Sequence, residues 1–403
     1  MALISAADAL AAVLADTEPL AEEMVELASA HHRVLARDLA ALRTQPPADM
    51  SAMDGYAVRA ADIATIPARL SVIGEAAAGK PWDQPLTAGQ AVRIFTGGVI
   101  PNGADAVVIQ ENTTRDGDTV IVNEATRSNR NIRAAGIDFR EGDVLLPAGR
   151  RLSDRNLSLA ANMNYPQLPV RRRPRVAVLA TGDELLLPGS TPGPGQIILS
   201  NGFALRALAQ SEGADTIDLG IAADTLEATT AAIRAARDSA ADILITTGGA
   251  SVGDHDLMHS ALDAEGVAMA FWKIALRPGK PMMHGRLGAM RVIGLPGNPV
   301  SSYVCAYLFL VPLIRSLSGR SDIHHVRKSA LLGRDLSPND QREDYLRATI
   351  EKREDGTLIA TPVDKQDSSL LGNLAAARAL LVRPPFAKAA VRGSVCEILT
   401  LPE

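Results

Sequence analysis

Residues Ala241-Asp-Ile-Leu-Ile-Thr246 run into Thr247-Gly-Gly-Ala-Ser-Val-Gly-Asp-His-Asp256, and this junction decides the fold. A short β-branched run that stops at paired glycines predicts a buried parallel strand leading into a turn with bare backbone amides. Such a turn suits an anion. It carries Gly248 and Gly249, a hydroxyl on Ser251, and two acids, Asp254 and Asp256, just ahead of a helical pattern through Leu257, Ala261 and Leu262. A phosphate-bearing ligand, handled with a metal or an acid–base step, is the chemistry this loop suggests.

Neighbouring segments repeat the arrangement. Arg277-Pro-Gly-Lys-Pro281 sets Arg277 and Lys280 around a rigid turn suited to a tetrahedral oxyanion. Val292-Ile-Gly-Leu295 reads as a strand that ends in Pro296-Gly297-Asn298-Pro299 and a long apolar helix from Val300, with Asn298 as its N-cap and Pro299 as its first residue. Upstream, Val176 to Ala180 runs into Thr181-Gly-Asp183-Glu184. In open α/β sheets ligands collect at the carboxyl ends of strands, so these loops point to one shared site.

A chain of 403 residues is too long for one ordinary core, and two to four domains are expected. Net charge is −5, which argues against a dedicated nucleic-acid binder. The basic run Arg171-Arg-Arg-Pro-Arg175 reads as a solvated linker at a domain edge. Asp8 and Asp16 without a basic stretch predict no secretory signal. The apolar stretch from Tyr303 to Ile314 is shorter than the about 20 residues that span a bilayer, so no membrane association is expected. Cys305 and Cys396 lie far apart in apolar contexts and read as core residues of a reducing compartment. The adjacent pairs His31-His32 and His324-His325 have no ligand spacing and on a helix would point apart.

Helical periodicity covers residues 5–15 and 19–43 and returns at Ser153 to Met163. Between them Leu70–Gly74, Ala91–Phe95, Ala106–Ile109 and Thr119–Val122 read as strands. Residues 51–145 are therefore an inserted β-rich domain, with 1–50 and 146–173 joined as a second one. Residues 174–326 alternate strand and helix as a doubly wound α/β domain, in which Asp224 and Glu227 resemble a capping box. Residues 327–403 are again β.

Several motifs have competing readings. Gly74-Glu-Ala-Ala-Ala-Gly-Lys80 lacks the hydroxyl of a nucleotide-binding P-loop, since Pro81 follows, and we reject it. Gly249-Ala-Ser-Val-Gly253 matches a hydrolase nucleophile elbow, which leaves a serine hydrolase using Ser251 as an alternative, with His284 the downstream histidine near the sheet. Asp54, Asp138 and Asp183 each have a structural reading as turn acids, Arg347 as a solvated strand residue and Ser368 as a turn hydroxyl.

Ser51-Ala-Met-Asp-Gly-Tyr-Ala-Val58, Phe95-Thr-Gly-Gly98, Thr181-Gly-Asp-Glu-Leu185, Gly248-Gly-Ala-Ser-Val-Gly253, Pro278-Gly-Lys-Pro281 and Leu295-Pro-Gly-Asn-Pro-Val-Ser301 form an ordered set along the whole chain. It strongly resembles the molybdopterin molybdenumtransferases, a family that includes bacterial enzymes and the E domain of gephyrin. The resemblance implies an elongated homodimer of four-domain subunits: an N-terminal helical and elongated dimerisation domain, the inserted β-rich module, a doubly wound molybdopterin-binding domain and a C-terminal barrel-like β domain. It implies insertion of molybdate into the dithiolene of adenylylated molybdopterin, with release of AMP.

The residue chemistry suits that reaction. Molybdate is a tetrahedral dianion, for which Arg277, Lys280, Arg347 and Ser368 make an oxyanion pocket, and Lys273 and Pro281 extend the ligand-binding set. Asp183, Glu184 and Asp256 are hard oxygen ligands for Mg2+. Asp256 is the first choice as metal ligand or as activator of water, and the residues leave that choice open. Amides of Gly248, Gly249 and the Pro296–Pro299 turn would hold phosphates. By resemblance Asp54, Thr96 and Asp138 belong to the same site and reach it from the partner subunit. Arg277 stands where many relatives have lysine. A cytoplasmic location is expected, as are a molybdopterin adenylyltransferase and molybdoenzyme maturation factors as partners. A related adenylyltransferase activity and a non-catalytic, gephyrin-like scaffold are the remaining alternatives.

Overall fold

The computed structural model describes residues 3–248 and 257–402. The α/β domain runs through β1 (Arg175–Thr181), α1 (Asn201–Ser211), β2 (Asp215–Ala222), α2 (Leu226–Asp238), β3 (Ile243–Thr247), α3 (Leu257–Ala264), β4 (Ala268–Phe271), β5 (Met283–Leu287) and β6 (Met290–Leu295) to a long helix, α4 (Pro299–Leu317). The sheet order is β2-β1-β3-β6-β5-β4; β2, β1, β3 and β6 are parallel and β6-β5-β4 antiparallel. The central strands are apolar on both faces, as a doubly covered sheet requires. Val176, Val178, Ile243 and Ile245 pack on α1 and α4. Ala177, Leu179 and Leu244 pack on α2 and α3. From β1 the chain moves to β2 on one side and then to β3 on the other, so the crevice between the ends of β1 and β3 is a topological switch point, where such folds bind ligands.

The inserted module is a six-stranded sheet ordered Ala106–Ile109, Gly55–Val58, Gln90–Ile94, Ala68–Ala76, Thr119–Val122, Thr113–Asp116. In the C-terminal region Glu343–Lys352 pairs with both Leu358–Pro362 and Ala379–Arg383, which closes a five-stranded barrel through Lys328–Leu332 and Val395–Thr400. Leu276–Arg277 leaves the α/β domain to pair with Glu343 and Asp344 of that barrel.

Residues 19–43 do not form the expected helix. Glu22–Glu26 is a strand paired antiparallel to Gln167–Arg171, and Leu39–Ala40 pairs with Val144–Leu146. Tertiary pairing overrides the helical propensity of this glutamate-rich stretch, and Leu35, Leu39 and Ala41 bury in one cluster with Ala160 of the helix Asp154–Asn162 and its C-cap Met163. The helix Ala6–Leu14 instead packs Ala9 and Val13 into the core around α4. His31 and His32 lie in a turn, with His32 at φ 62, and their rings stack 3.7 Å apart rather than pointing apart.

Two further readings are corrected. Arg172 of the basic run is no solvated linker residue: it clamps Asp242 through two bonds of 2.9 and 2.8 Å, while Arg171 donates to the carbonyls of Leu20 and Ala36. The apolar helix is longer than its most hydrophobic stretch, since Pro299–Leu317 has 19 residues at a mean hydropathy of 1.6 and by length and composition could cross a membrane. Of an 18-residue stretch of that helix 89% is buried in protein, so its apolar surface forms the domain core. Pro312 offers no N–H and its ring crowds the preceding turn, which here widens to a π turn over Ala306–Leu310.

A buried histidine and a half-buried one give the fold an acid limit. His284 is sealed on β5 with Nδ1 bonded to the Val292 carbonyl at 3.0 Å, and His325 stacks on Tyr307, with Nε2 2.6 Å from the Tyr307 carbonyl. Burial pushes both down to about 4, against the pull of the carbonyl bonds. Since the folded values lie below the unfolded one, their stability is whole above about pH 6.5 and is lost as pH falls towards 4, up to about 3 kcal/mol each. In urea unfolding, His284→Phe/His325→Phe should lose less stability than the parent between pH 7.5 and 4.5. An undiminished slope would contradict this origin.

Candidate functional site

A cleft of about 620 Å³ opens at the switch point. Thr181 ends β1, Thr247 ends β3 with Gly248 just beyond it, and Glu184 and the Pro296–Pro299 turn after β6 complete the lining. Gly248 has φ +92, and a Cβ there would sit 2.3 Å from the Thr181 carbonyl oxygen. Only glycine lets these strand ends approach so closely. Thr181 is 5% exposed and its hydroxyl has no partner among the described residues, so it is a desolvated polar group at the cleft wall.

Of the expected ligand-binding residues, Gly248, Pro281, Pro296, Gly297, Asn298 and Pro299 line this cleft, as does Glu184. Asn298 takes the N-cap position with extended backbone, but its side chain makes no cap bond, which leaves it to the cleft. The capping-box expectation at Asp224 is corrected: Thr225 caps α2 through the Ala228 N–H, because Asp224 is engaged with Asp183. The Asp183 amide donates to the Asp224 carboxylate at 3.4 Å and the Asp224 amide to the Asp183 carboxylate at 3.1 Å. Gly249, Ser251 and Asp256 lie outside the described residues.

The cations are arranged differently from an open oxyanion pocket. Arg277 donates from Nε and Nη2 to Asp344 at 2.7 and 3.1 Å, a pairing set by the strand register that puts the two residues side by side. Its charge is thereby compensated across the junction with the barrel. Arg347 is fully buried and is no solvated strand residue; its Nη2 donates to the carbonyls of Lys365 and Asp367, while Nε has no partner among the described residues. Burial pulls its guanidinium below the usual arginine range, partly offset by Asp367. Lys273 and Lys280 contribute backbone carbonyls to the amides of Ile4 and Ile274. Lys280 itself is exposed. Gly279 at φ +124 packs on Cys305, where a Cβ would come within 2.3 Å of the sulfur, and this seats the Arg277–Pro281 loop on α4.

Asp54 and Thr96 meet at the edge of the inserted sheet, just before Gly55–Val58 and just after Gln90–Ile94. The Thr96 amide donates at 2.7 Å and its hydroxyl at 2.8 Å to one Asp54 oxygen, and these two bonds hold the carboxyl below its usual range. Asp138 is exposed, with its amide on the Gln45 carbonyl. None of the three lines the cleft of its own chain.

Three stretches of the chain match one family in order. Residues 4–163 match "MoeA N-terminal region (domain I and II)", 177–316 "Probable molybdopterin binding domain" and 329–401 "MoeA C-terminal region (domain IV)". A "Molybdopterin molybdenumtransferase" of Haemophilus influenzae is 38% identical over 354 residues, 87% of this chain and 87% of that protein. The chain belongs to the MoeA family. A Bacillus subtilis relative of the same name is 36% identical over 389 residues, 94% of this chain and 90% of its own. The solved molybdopterin biosynthesis MoeA protein of Pyrococcus horikosii has a TM-score of 0.86 at 29% identity and covers 100% of both chains.

Within this MoeA-family chain the cleft recruits residues that the motifs did not mark. Asn201, at the start of α1, donates from Nδ2 to the Gly297 carbonyl at 2.8 Å and so braces the Pro296–Pro299 turn. Its signal was visible in Ser200-Asn201, a helix start that follows Ile197 and Ile198, whose side chains form an apolar wall. Ser369 enters from the C-terminal region, while the adjacent Ser368 gives its backbone carbonyl to the Val300 amide at 3.0 Å. His284, the histidine of the hydrolase alternative, is sealed against Val292 and lines no part of the cleft.

Proposed function

We propose that this chain is a molybdopterin molybdenumtransferase, an enzyme that inserts molybdenum into molybdopterin. The observation that carries the reading is the amide- and hydroxyl-lined cleft at the switch point, in a chain whose relatives share that name across nearly their full length. The finer reaction is exchange of AMP for molybdate on adenylylated molybdopterin. Phosphate groups would suit the Gly248 strand end and the Pro-Gly-Asn-Pro turn, whose Gly297 and Asn298 supply backbone N–H groups at the cleft. Ile197 and Ile198 offer an apolar face to a flat ring.

Mg2+ is the proposed cofactor. Glu184 and the unpartnered Thr181 hydroxyl place oxygen donors at one strand end beside Asp183, a donor set that fits a hard cation which keeps water and phosphate in its remaining positions. Asp183 and Glu184 would hold it, with Asp256 as a third candidate; when bound it would neutralise charge on the phosphoanhydride. Among the described residues no three acidic, histidine or cysteine side chains form a metal cluster by themselves. Molybdate would meet the exposed Lys280, while Arg347, fully buried on the carbonyls of Lys365 and Asp367, would brace the loop beneath Ser368.

Asp54 and Thr96 lie just beyond strand ends of the inserted sheet and Asp138 in a loop, and none of them lines the cleft of its own chain, which supports a homodimer in which one subunit's β module completes its partner's site. A molybdopterin adenylyltransferase would supply the substrate and molybdoenzyme maturation factors would receive the product, in the cytoplasm. The test is molybdate-dependent AMP release from adenylylated molybdopterin with Mg2+. Asp54→Ala and Glu184→Gln should each lose at least about 100-fold in kcat. Mixed under subunit exchange, the two variants should regain activity, because a heterodimer rebuilds one intact site. Two inactive variants that stay inactive on mixing would contradict a shared site, and no release by the parent would sink the transferase reading.

A further inference from the structure

Ser369 occupies the cleft wall that the C-terminal region supplies, and its hydroxyl is already oriented. Its Oγ donates to Asp367 Oδ1 at 2.6 Å, and its amide donates to the same oxygen at 2.8 Å. With its one proton committed to Asp367, the hydroxyl can only accept from a ligand. An acceptor backed by a carboxylate repels phosphate and molybdate oxygens and selects an N–H donor. The loop that carries this pair is braced from below. Gln366 accepts from the Arg347 amide at 3.0 Å and donates to the carbonyls of Arg347 and Val363 at 2.9 and 3.0 Å, and Arg347 Nη2 holds the Asp367 carbonyl at 3.0 Å.

We infer that Ser369 binds the amino or ring N–H edge of the pterin, with Asp367 as the positioning residue that fixes it as an acceptor. This rests on the transferase reading and deepens it by giving the cleft a direction: the N–H-bearing ring faces the Ser369 wall and the phosphate faces Gly248 and the Pro296–Pro299 turn. It also makes the α/β cleft incomplete without the C-terminal region.

The experiment is steady-state turnover of the full-length protein, with adenylylated molybdopterin as the varied substrate at saturating molybdate. Ser369→Ala should raise KM about 3- to 10-fold, the worth of one neutral hydrogen bond, with a smaller change in kcat. Asp367→Ala should raise KM similarly, Asp367→Asn should restore most of the loss because its amide oxygen still accepts from Ser369, and the Ser369→Ala/Asp367→Ala double variant should be no worse than either alone. An unchanged KM in Ser369→Ala, with the parent active, overturns the contact and leaves the transferase reading standing. Additive losses, or an Asp367→Asn variant as poor as Asp367→Ala, overturn the positioning role. A parent protein that neither binds nor turns over the adenylylated pterin overturns the reading itself and the contact with it.

Discussion

Gly248→Ala should cut turnover by about 100-fold or more while the protein remains folded. The backbone at Gly248 has φ +92, so any side chain is strained there, and the added Cβ would lie 2.3 Å from the Thr181 carbonyl oxygen and 3.0 Å from its hydroxyl oxygen. Both neighbours belong to the end of β1, which cannot retreat without breaking its ladder with β3. The only relief is to part the two strand ends, which widens the crevice where the phosphate is held. A displacement of about 1 Å at such a point costs on the order of 100-fold in rate. Gly220→Ala is the matched control: Gly220 also has positive φ, 72°, but a Cβ there meets nothing within 4 Å, so it carries backbone strain without the clash. Equal losses of turnover in the two variants would show that strain alone, and not the β1–β3 approach, sets the effect.

The second large effect is on stability. Glu212, at the end of α1, receives Arg315 through bonds of 2.9 and 2.8 Å and Arg320 through one of 2.7 Å. The side chains of the three are 12%, 14% and 5% exposed. Nearby, Arg151 donates to the Ser211 carbonyl and Ser321 to that of Gly149, so this buried ion cluster joins the α/β domain to residues 146–173. Glu212→Ala leaves two buried guanidinium groups with one remaining partner, Asp322, and should cost about 3 kcal/mol or more, measured by denaturant unfolding. Burial alone would raise the Glu212 carboxyl, but the bonds and charges of Arg315 and Arg320 outweigh it and hold the group below its usual value. The sign follows: this stability is present above the ordinary carboxylate pKa and is lost as pH falls through the depressed one. A loss below about 1 kcal/mol would mean that the cluster is no better than a solvated ion pair.

The elements legible in the sequence are those whose cause is local. Ile243 to Thr247 reads as a buried strand because β-branched and apolar residues run unbroken to a glycine stop, and Ser153 reads as a helix start because its own side chain makes the cap. The order of strand, loop and helix from residue 174 onward follows from such signals. What stayed hidden depends on partners distant in sequence. Glu22–Glu26 is a strand only because Gln167–Arg171 lies beside it. Arg277 looked like an open cation until the register with Glu343–Lys352 placed Asp344 against it. Arg172 finds Asp242, and Ser369 reaches the cleft from a separate domain. Thr181 was part of a quoted motif, yet nothing in Thr-Gly-Asp-Glu shows that its hydroxyl is buried and unpartnered.

The most direct test of the central claim is a crystal structure of the protein with adenylylated molybdopterin. Ligand density is expected in the cleft between Glu184, Gly248 and Asn298, with phosphate against the amides of Gly248, Gly297 and Asn298 and the pterin edge towards Ser369. Density elsewhere, above all in the apolar hollow of about 350 Å³ beside Leu336 and Lys388 of the C-terminal region, with the switch-point cleft empty, would contradict it.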